Sequence, residues 1–199
     1  MSNVKIAVIY YSATGTNHQM AVEAEKAAKE AGAEVRLRRV PELAPEEAIT
    51  ANPAWKAHRD STRDVEVVTL DDLQWADGFI FSVPTRYGNM AAQMKQFIDT
   101  TGPIWGQGKL ANKTVTAMSS AANPHGGQEA TILSLYTTMY HWGAIVVAPG
   151  YTHESIYKAG GNPYGASCTA GQPVSAEVRA AVHHQARRLV EITQRLVQS

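Results

Sequence analysis

The chain has 199 residues and a mass of 21.5 kDa, which is the size of one domain, so residues 1–199 are predicted to form a single domain. Apolar residues make up 44% and charged residues 18% of the chain, which excludes an intrinsically disordered protein. The 18 basic side chains balance the 18 acidic ones, so no net field attracts nucleic acid or an anionic membrane, and neither is predicted as a partner.

The cysteine and histidine content points to a cytoplasmic protein without a metal site. Cys168 is the only cysteine, which excludes an internal disulfide, favours a reducing compartment and predicts that Cys168 serves in packing. His183 and His184 have no partners at ligand spacing and are expected to face solvent. Residues 130–153 carry no charge, but hydroxyl groups and a proline interrupt them, which predicts a buried segment rather than a membrane span. The apolar run Ile6–Tyr11 has neither a basic leader nor a cleavage site, so no signal peptide is expected.

The first forty residues predict a strand, a helix and a second strand. Val4–Tyr11 is β-branched and aromatic throughout, as in a strand buried on both faces. His18–Ala31 contains strong helix formers with a stripe of alanines, and Gly32 follows as a stop signal. Ala33–Val40 alternates polar and apolar residues, and its arginines suit an edge strand.

The rest of the chain continues the alternation after an interruption. Residues 41–64 contain three prolines and many charges, which predicts a surface insertion with about one helical turn. Thr69 and Asp72 form a capping pattern for a short helix, and Phe79–Val83 is an apolar strand that Pro84 is expected to end. The following segments are predicted in order as a helix over Met90–Thr101, a strand over Lys113–Ser120, a helix over Gln128–Trp142, a strand over Ala144–Ala148 and a helix over Ser175–Val197.

Five strands that alternate with helices predict an α/β fold, a doubly wound five-stranded parallel sheet with helices on both faces. In such sheets ligands bind outside the carboxyl ends of the strands. Three segments are predicted to meet there: Ser12–Asn17, Pro84–Asn89 and Ser119–Gly127.

Ser12–Asn17 joins a buried strand to a helix through three hydroxyl residues, a glycine and an amide. The amide N–H groups and the positive end of the helix favour an anion such as phosphate, with no lysine or arginine in the loop. The alternative is a tight turn that caps the helix and binds nothing. Neither a G-x-G-x-x-G motif nor a P-loop is present, which argues against the usual nucleotide motifs.

The pattern Ser12-x-Thr14-Gly15-x-Asn17 resembles the flavodoxin phosphate signature, with Asn17 in place of the usual threonine and its amide still able to donate. Beyond this loop, the segments that follow resemble the WrbA-type NAD(P)H:quinone oxidoreductases nearly end to end. They are Pro84–Met90, Gln93–Lys95, Thr101–Gly102 with Trp105, Gly126–Glu129, Thr137–Gly143, Gly150–Tyr151 and Gly160–Ala166. The loop after the fourth strand departs from the family, because it is less rich in glycine and one residue longer.

The resemblance implies a flavodoxin-like fold, one FMN per chain, NADH or NADPH as hydride donor, and two-electron reduction of a quinone to a hydroquinone through the flavin, with ping-pong kinetics. It also implies a homotetramer. Residues 149–171 are rich in glycine and tyrosine and nearly uncharged, which independently predicts that they lie at the subunit interface and the cofactor site. His141 and Trp105 are the implied catalytic residues. The implied cofactor-binding residues are Ser12, Ala13, Thr14, Gly15, Thr16, Asn17, Pro84, Thr85, Arg86, Tyr87, Gly88, Asn89, Ser120, Ala121, Ala122, Asn123, His125, Gly126 and His141.

Other interpretations of the same residues stay open. His141 could be a hydrogen-bonded core histidine, Trp105 a packing anchor and Arg86 one half of an exterior ion pair. The whole protein could instead be a flavodoxin-like carrier of single electrons, which the balanced charge disfavours, or a flavin-binding regulatory protein without turnover. The sequence does not distinguish NADH from NADPH and does not identify the quinone.

Overall fold

The computed structural model describes residues 3–198. Its seven strands and nine helices follow one another along this part of the chain. The strands are β1 Lys5–Tyr10, β2 Glu34–Arg39, β3 Gly78–Arg86, β4 Asn89–Met90, β5 Thr114–Ala121, β6 Ile145–Val146 and β7 Ser167–Thr169. The helices are α1 Thr16–Glu30, α2 Glu46–Thr50, α3 Pro53–Ser61, α4 Leu70–Trp75, α5 Ala92–Asp99, α6 Gly102–Trp105, α7 Gln128–His141, α8 Glu154–Lys158 and α9 Ala176–Val197.

Five parallel strands form the sheet in the order β2-β1-β3-β5-β6. Strand β3 lies in the middle and pairs with β1 on one side and β5 on the other, with Ile80 opposite both Val8 and Thr116. Each residue of β5 is buried, as expected of a strand covered on both faces. Strand β2 is the edge, where its arginines stay half-buried. The predicted fold class is confirmed.

Helices cover both faces of the sheet. Alternate β1 residues point to opposite sides, so Ala7 and Ile9 enter one apolar cluster while Ile6 and Val8 enter another. Helices α4, α5 and α7 contribute to the first cluster, and helices α1, α8 and α9 to the second. No helix within residues 3–198 has the length and apolarity needed to cross a bilayer.

The predicted end of the third strand at Pro84 is wrong, because β3 continues to Arg86. Pairing with β1 stops at Ser82, whereas Pro84 pairs only with Ser120 of β5. Proline lacks an N–H group, and it is tolerated here because one side of the strand has become an edge. Beyond it, β3 folds back on β4 as a short antiparallel hairpin, so the helix predicted from Met90 begins only at α5.

Residues 41–64 hold more regular structure than the single helical turn predicted. They form α2 and α3, and the Asn52 side chain caps α3 by accepting hydrogen bonds from the N–H groups of Ala54 and Trp55. Pro53 stands at the first position of α3, where its missing N–H costs nothing. Of the residues in the two helices only Ile49 is buried, so the segment contributes little core.

Two short elements that the sequence did not predict lie in residues 149–171, namely α8 and β7. Strand β7 extends the sheet beside the last residues of β5 and carries Cys168, whose Sγ lies 3.6 Å from the Met20 sulfur. Burial raises the pKa of the Cys168 thiol to about 11, which agrees with its predicted packing role.

The expectation that His183 and His184 face solvent is wrong. Both are half-buried: His183 Nε2 lies 2.8 Å from a Glu30 carboxylate oxygen, and the His184 ring stacks on His153 at 4.8 Å between centroids. Both histidines lie on the side of α9 that faces neighbouring elements. The amphipathic pattern of the helix did not predict this placement.

Candidate cofactor cleft

The carboxyl edge of the sheet holds an open cleft of about 590 Å³, where the loops after β1, β3 and β5 meet. Parallel strands bring these loops together as predicted. Arg86 is the only charged side chain among the described residues that line the cleft. The lining residues are Ser12, Ala13, Thr14, Thr16, Asn17, Asn52, Trp55, Pro84, Thr85, Arg86, Tyr87, Ser120, Ala121, Ala122, Asn123, Gly126 and Ala170.

The loop after β1 offers backbone donors to the cleft. Its Gly15 adopts the left-handed conformation, with φ of 101°, and its N–H donates to Ser12 Oγ at 3.0 Å, which closes the turn. No side chain caps helix α1, and its first turn contains no acidic residue. The first N–H groups of α1 therefore stay available, and together with the helix dipole they suit an anion.

Asn17 does not serve as the predicted side-chain donor to an anion. It is 1% exposed, and its Nδ2 donates to Ser82 Oγ at 3.2 Å while its Oδ1 accepts from Ser120 Oγ at 2.6 Å. Its backbone carbonyl also accepts from Ser82 Oγ at 2.9 Å. The amide is thus taken up by β3 and β5, and it fixes the loop onto the two central strands.

The loop after β3 is a tight hairpin that presents Tyr87. Tyr87 and Gly88 both have positive φ, 52° and 78°, as a two-residue hairpin turn of type I′ requires. Thr85 Oγ1 accepts from the Gly88 N–H at 3.2 Å and from Thr131 Oγ1 at 2.7 Å, which anchors the turn to α7. The Tyr87 side chain is fully exposed, and Asn89 pairs with Arg86 across the hairpin. Arg86 makes no ion pair within residues 3–198, which disfavours the alternative that it serves as one half of an exterior ion pair.

The loop after β5 leads into helix α7, whose first residues approach the hairpin closely. Gly127 precedes the helix with φ of 95°, and a Cβ atom there would lie 3.0 Å from Gly88 Cα. As in α1, no side chain caps this helix. The loop itself is held by Asn123, whose carbonyl accepts from the Gly126 N–H at 3.2 Å and from Gln128 Nε2 at 2.8 Å.

Residues 4–157 match the family model described as NADPH-dependent FMN reductase. The chain belongs to this family. A relative from Deinococcus radiodurans is 53% identical over 195 residues, which cover 98% of each chain, and is named NAD(P)H dehydrogenase (quinone). A relative from Chelativorans sp. carries the same name and is 42% identical over 201 residues, 97% of this chain and 98% of that protein.

Solved structures agree on the fold. A flavodoxin, WrbA-like protein from Agrobacterium tumefaciens aligns with a TM-score of 0.70 at 18% identity, over 97% of this chain and 99% of that one. An archaeal flavodoxin aligns with a TM-score of 0.65 at 15% identity, over 96% of this chain and 99% of the other. The predicted resemblance and the flavodoxin-like fold are therefore confirmed.

Two residues to which the resemblance gave catalytic roles lie away from the cleft of their own chain. His141 ends α7, whose 14 residues extend about 21 Å from the cleft. Nearby, the Gly143 carbonyl accepts from the N–H of Asn112, which precedes β5, so this is the amino edge of the sheet. Trp105 lies there too, because its Nε1 donates to the His141 carbonyl at 2.7 Å.

His125 also lies outside the cleft, in a neighbouring depression that contains Gln128 and Cys168. Gly15, Gly88 and Asn89 shape the loops without lining the cleft. The structure therefore brings together most of the predicted cofactor-binding residues and separates His125, His141 and Trp105 from them.

Sequence reasoning missed three residues that line the cleft: Asn52, Trp55 and Ala170. The Asn52-Pro53 pair is a strong helix start, and it could have indicated that α3 begins here. No local signal placed that helix beside the loop after β1. Among residues 3–198, no three His, Cys, Asp or Glu side chains converge as metal ligands.

Proposed function

We propose that this chain is an FMN-dependent oxidoreductase that takes a hydride from NADH or NADPH and reduces a quinone by two electrons. The family match and the names of the two relatives support the activity. The observation that carries the cofactor assignment is the cleft itself, where the uncapped N-terminus of α1 lies in an almost uncharged lining.

The residues of the cleft fit FMN. Residues 12–17 would hold the phosphate through backbone N–H groups and hydroxyls, which suit an oxyanion without a salt bridge. Thr85–Tyr87 and Ser120–Gly126 would flank the ring system between the hairpin and the loop before α7. When bound, FMN supplies the hydride and electron transfer chemistry.

The protein's own contribution is to bind the flavin and to orient the substrates against it. No Asp, Glu, His, Cys or Lys side chain is among the described residues that line the cleft. A general acid or base is not required if nicotinamide and quinone bind in turn to one open slot, which Tyr87 borders. This arrangement predicts ping-pong kinetics.

The catalytic assignment of His141 and Trp105 implies a homotetramer whose clefts are completed by neighbouring chains. Trp105 is 51% exposed and Tyr140, beside His141, is 64% exposed, at the amino edge of the sheet. Tyr151 and Tyr157 stack on each other in the region 149–171, whose two charged side chains, Glu154 and Lys158, form an ion pair, and both tyrosines are also exposed. Large exposed aromatic groups favour coverage by another subunit. Light scattering of the FMN complex tests this, and a monomer at micromolar concentration would contradict it.

The activity is tested by adding FMN to the purified protein, removing free flavin, and recording the absorption spectrum before and after NADH, NADPH and benzoquinone. We expect retained FMN, bleaching by the nicotinamide and recovery with quinone, with parallel double-reciprocal lines. A protein that retains no FMN, or that oxidises NAD(P)H at the same rate without quinone, would overturn the proposal. The single cysteine, Cys168, supports our inference that the protein works in the reducing cytoplasm.

A further inference from the structure

Helix α3 covers the outer side of the loop that the proposed function assigns to the FMN phosphate. Asn52, Trp55 and His58 are three residues apart and lie on one face of the helix. Asn52 and Trp55 line the cleft. The His58 ring packs on the loop, since a Cβ atom on Gly15 would lie 3.4 Å from His58 Nδ1. The N-terminus of α3, like that of α1, therefore faces the cleft.

Trp55 separates the cleft from a second cavity. The second cavity has a volume of about 190 Å³, and Ser12 and Trp55 line it as well as the cleft. Ser12 is also the first residue of the phosphate loop. The Trp55 indole therefore lies between the cofactor cleft and the second cavity.

Glu42 fixes the orientation of the Trp55 indole. Its Oε2 accepts from Trp55 Nε1 at 3.2 Å and from the Tyr11 hydroxyl at 3.1 Å, and its Oε1 accepts from Gln93 Nε2 at 2.7 Å. The backbone N–H groups of Leu43 and Ala44 donate to the same Oε1. Burial alone would raise the pKa of Glu42, but these hydrogen bonds lower it, so the ionised carboxylate is held between β1, α3 and α5.

The second cavity is lined by Arg39, Arg59 and Arg63 and by the Glu42 carboxylate, and it is too small for a nucleotide. Tyr10 is 2% exposed and borders this cavity beside Thr62. Arg39 makes no ion pair in the described part of the chain. At about 190 Å³ it is smaller than the roughly 300 Å³ at which pockets for drug-sized ligands begin.

We propose that the α3 face of Asn52, Trp55 and His58 closes the phosphate end of the cofactor cleft, so that the site accepts a flavin with a terminal phosphate and rejects one whose phosphate carries a nucleotide. In FAD a second phosphate and an adenosine follow the first phosphate. Ser12 belongs to the phosphate loop and lines both spaces together with Trp55, so the path assigned to these groups runs past Ser12 and against the Trp55 indole. Trp55 is the specificity-determining residue, and Glu42 is its positioning residue. This inference rests on the proposed binding of FMN.

The test compares FMN and FAD affinities of the flavin-free protein by isothermal titration calorimetry. We expect the wild type to prefer FMN by about 100-fold or more. In Trp55→Ala the cleft joins the basic cavity, so FAD binding tightens and the preference falls by about tenfold or more. Trp55→Phe keeps an aromatic partition and keeps most of the preference. Glu42→Gln places an amide opposite the indole N–H, and we expect a smaller change in the same direction.

Trp75→Ala is the matched control, because Trp75 is a half-buried tryptophan on α4 that contacts Arg36 and lies outside both cavities. The preference of Trp75→Ala for FMN over FAD should equal that of the wild type. An unchanged preference in folded Trp55→Ala overturns the inference, as does a wild type that binds FAD as tightly as FMN. If Trp55→Ala binds neither flavin, an unchanged preference in Glu42→Gln overturns it. A wild type that binds no FMN instead refutes the proposed function.

Discussion

The two segments that border the phosphate end of the cleft are built in different ways. Residues 12–17 obtain their shape from a glycine with positive φ, a short internal hydrogen bond and the start of a helix. Helix α3 has a local cap but no buried residue, and its position depends on Glu42, which accepts from Trp55 of α3, from Gln93 of α5 and from Tyr11 after β1. A binding loop can therefore be encoded locally, whereas the wall beside it depends on contacts distant in sequence.

The contrast between the two segments would not hold if the shape of residues 12–17 did not depend on the side chains of that loop. The largest effect is expected for Asn17→Ala, which removes the buried acceptor of the Ser120 hydroxyl and the buried amide donor to Ser82 Oγ, while the backbone carbonyl of residue 17 still accepts from Ser82. We expect a loss of about 2–3 kcal/mol in the free energy of unfolding, because a buried polar group without a partner costs about 1–3 kcal/mol. Urea unfolding measures it. Thr50→Ala, which removes an exposed hydroxyl, is the control, and an equal loss in both variants would refute this role of Asn17.

Gly15→Ala tests whether the left-handed turn itself shapes the anion site. Forcing an alanine to φ of 101° costs roughly 1–2 kcal/mol, and if the loop relaxes to avoid this strain its donors move. We expect FMN affinity to fall by about tenfold. Gly32→Ala has a similar φ of 88° with open space around it and lies at the other end of α1. It should lose similar stability but keep its FMN affinity.

Glu42→Ala tests whether the position of α3 depends on contacts distant in sequence. Tyr11, Trp55 and Gln93 lose their shared acceptor, but this half-buried region can admit water, so we expect a loss of only about 1 kcal/mol in the free energy of unfolding. The removal should also make α3 more accessible to proteolysis than α1. Protection of α3 that is unchanged from the wild type would show that Glu42 does not hold it.

The smallest effect is a pH dependence of stability from His58. Burial, and secondarily the neighbouring His18, lower the pKa of His58 from 6.5 to about 4. Between these values the unfolded chain binds the proton and the folded chain does not, so stability falls as pH decreases from about 6.5 toward 4. His58→Gln should reduce this slope when unfolding is followed across that range. The same slope in both proteins would assign the effect to other groups, among them His18, whose pKa burial also lowers.

Most of the sheet could be predicted from the sequence, because strands buried on both faces are continuous apolar runs and their crossovers have one hand. The hairpin after Pro84 could not be predicted from the sequence. Strand β3 can continue through Pro84 only because its pairing with β1 stops at Ser82, and that end point depends on the packed sheet. Strand β7 was missed because three residues carry no periodicity and become a strand only beside β5.

By itself, the sequence determined the fold class, the family and the loop of residues 12–17, since each of these depends on residues that are neighbours along the chain or repeat with a regular period. Only the tertiary structure decided that the Asn17 amide binds serines of two strands, that Trp55 borders the cleft, and that His141 and Trp105 lie at the opposite edge of the sheet. Those outcomes depend on distances between segments far apart in sequence, and such distances are fixed when the sheet and its helices pack.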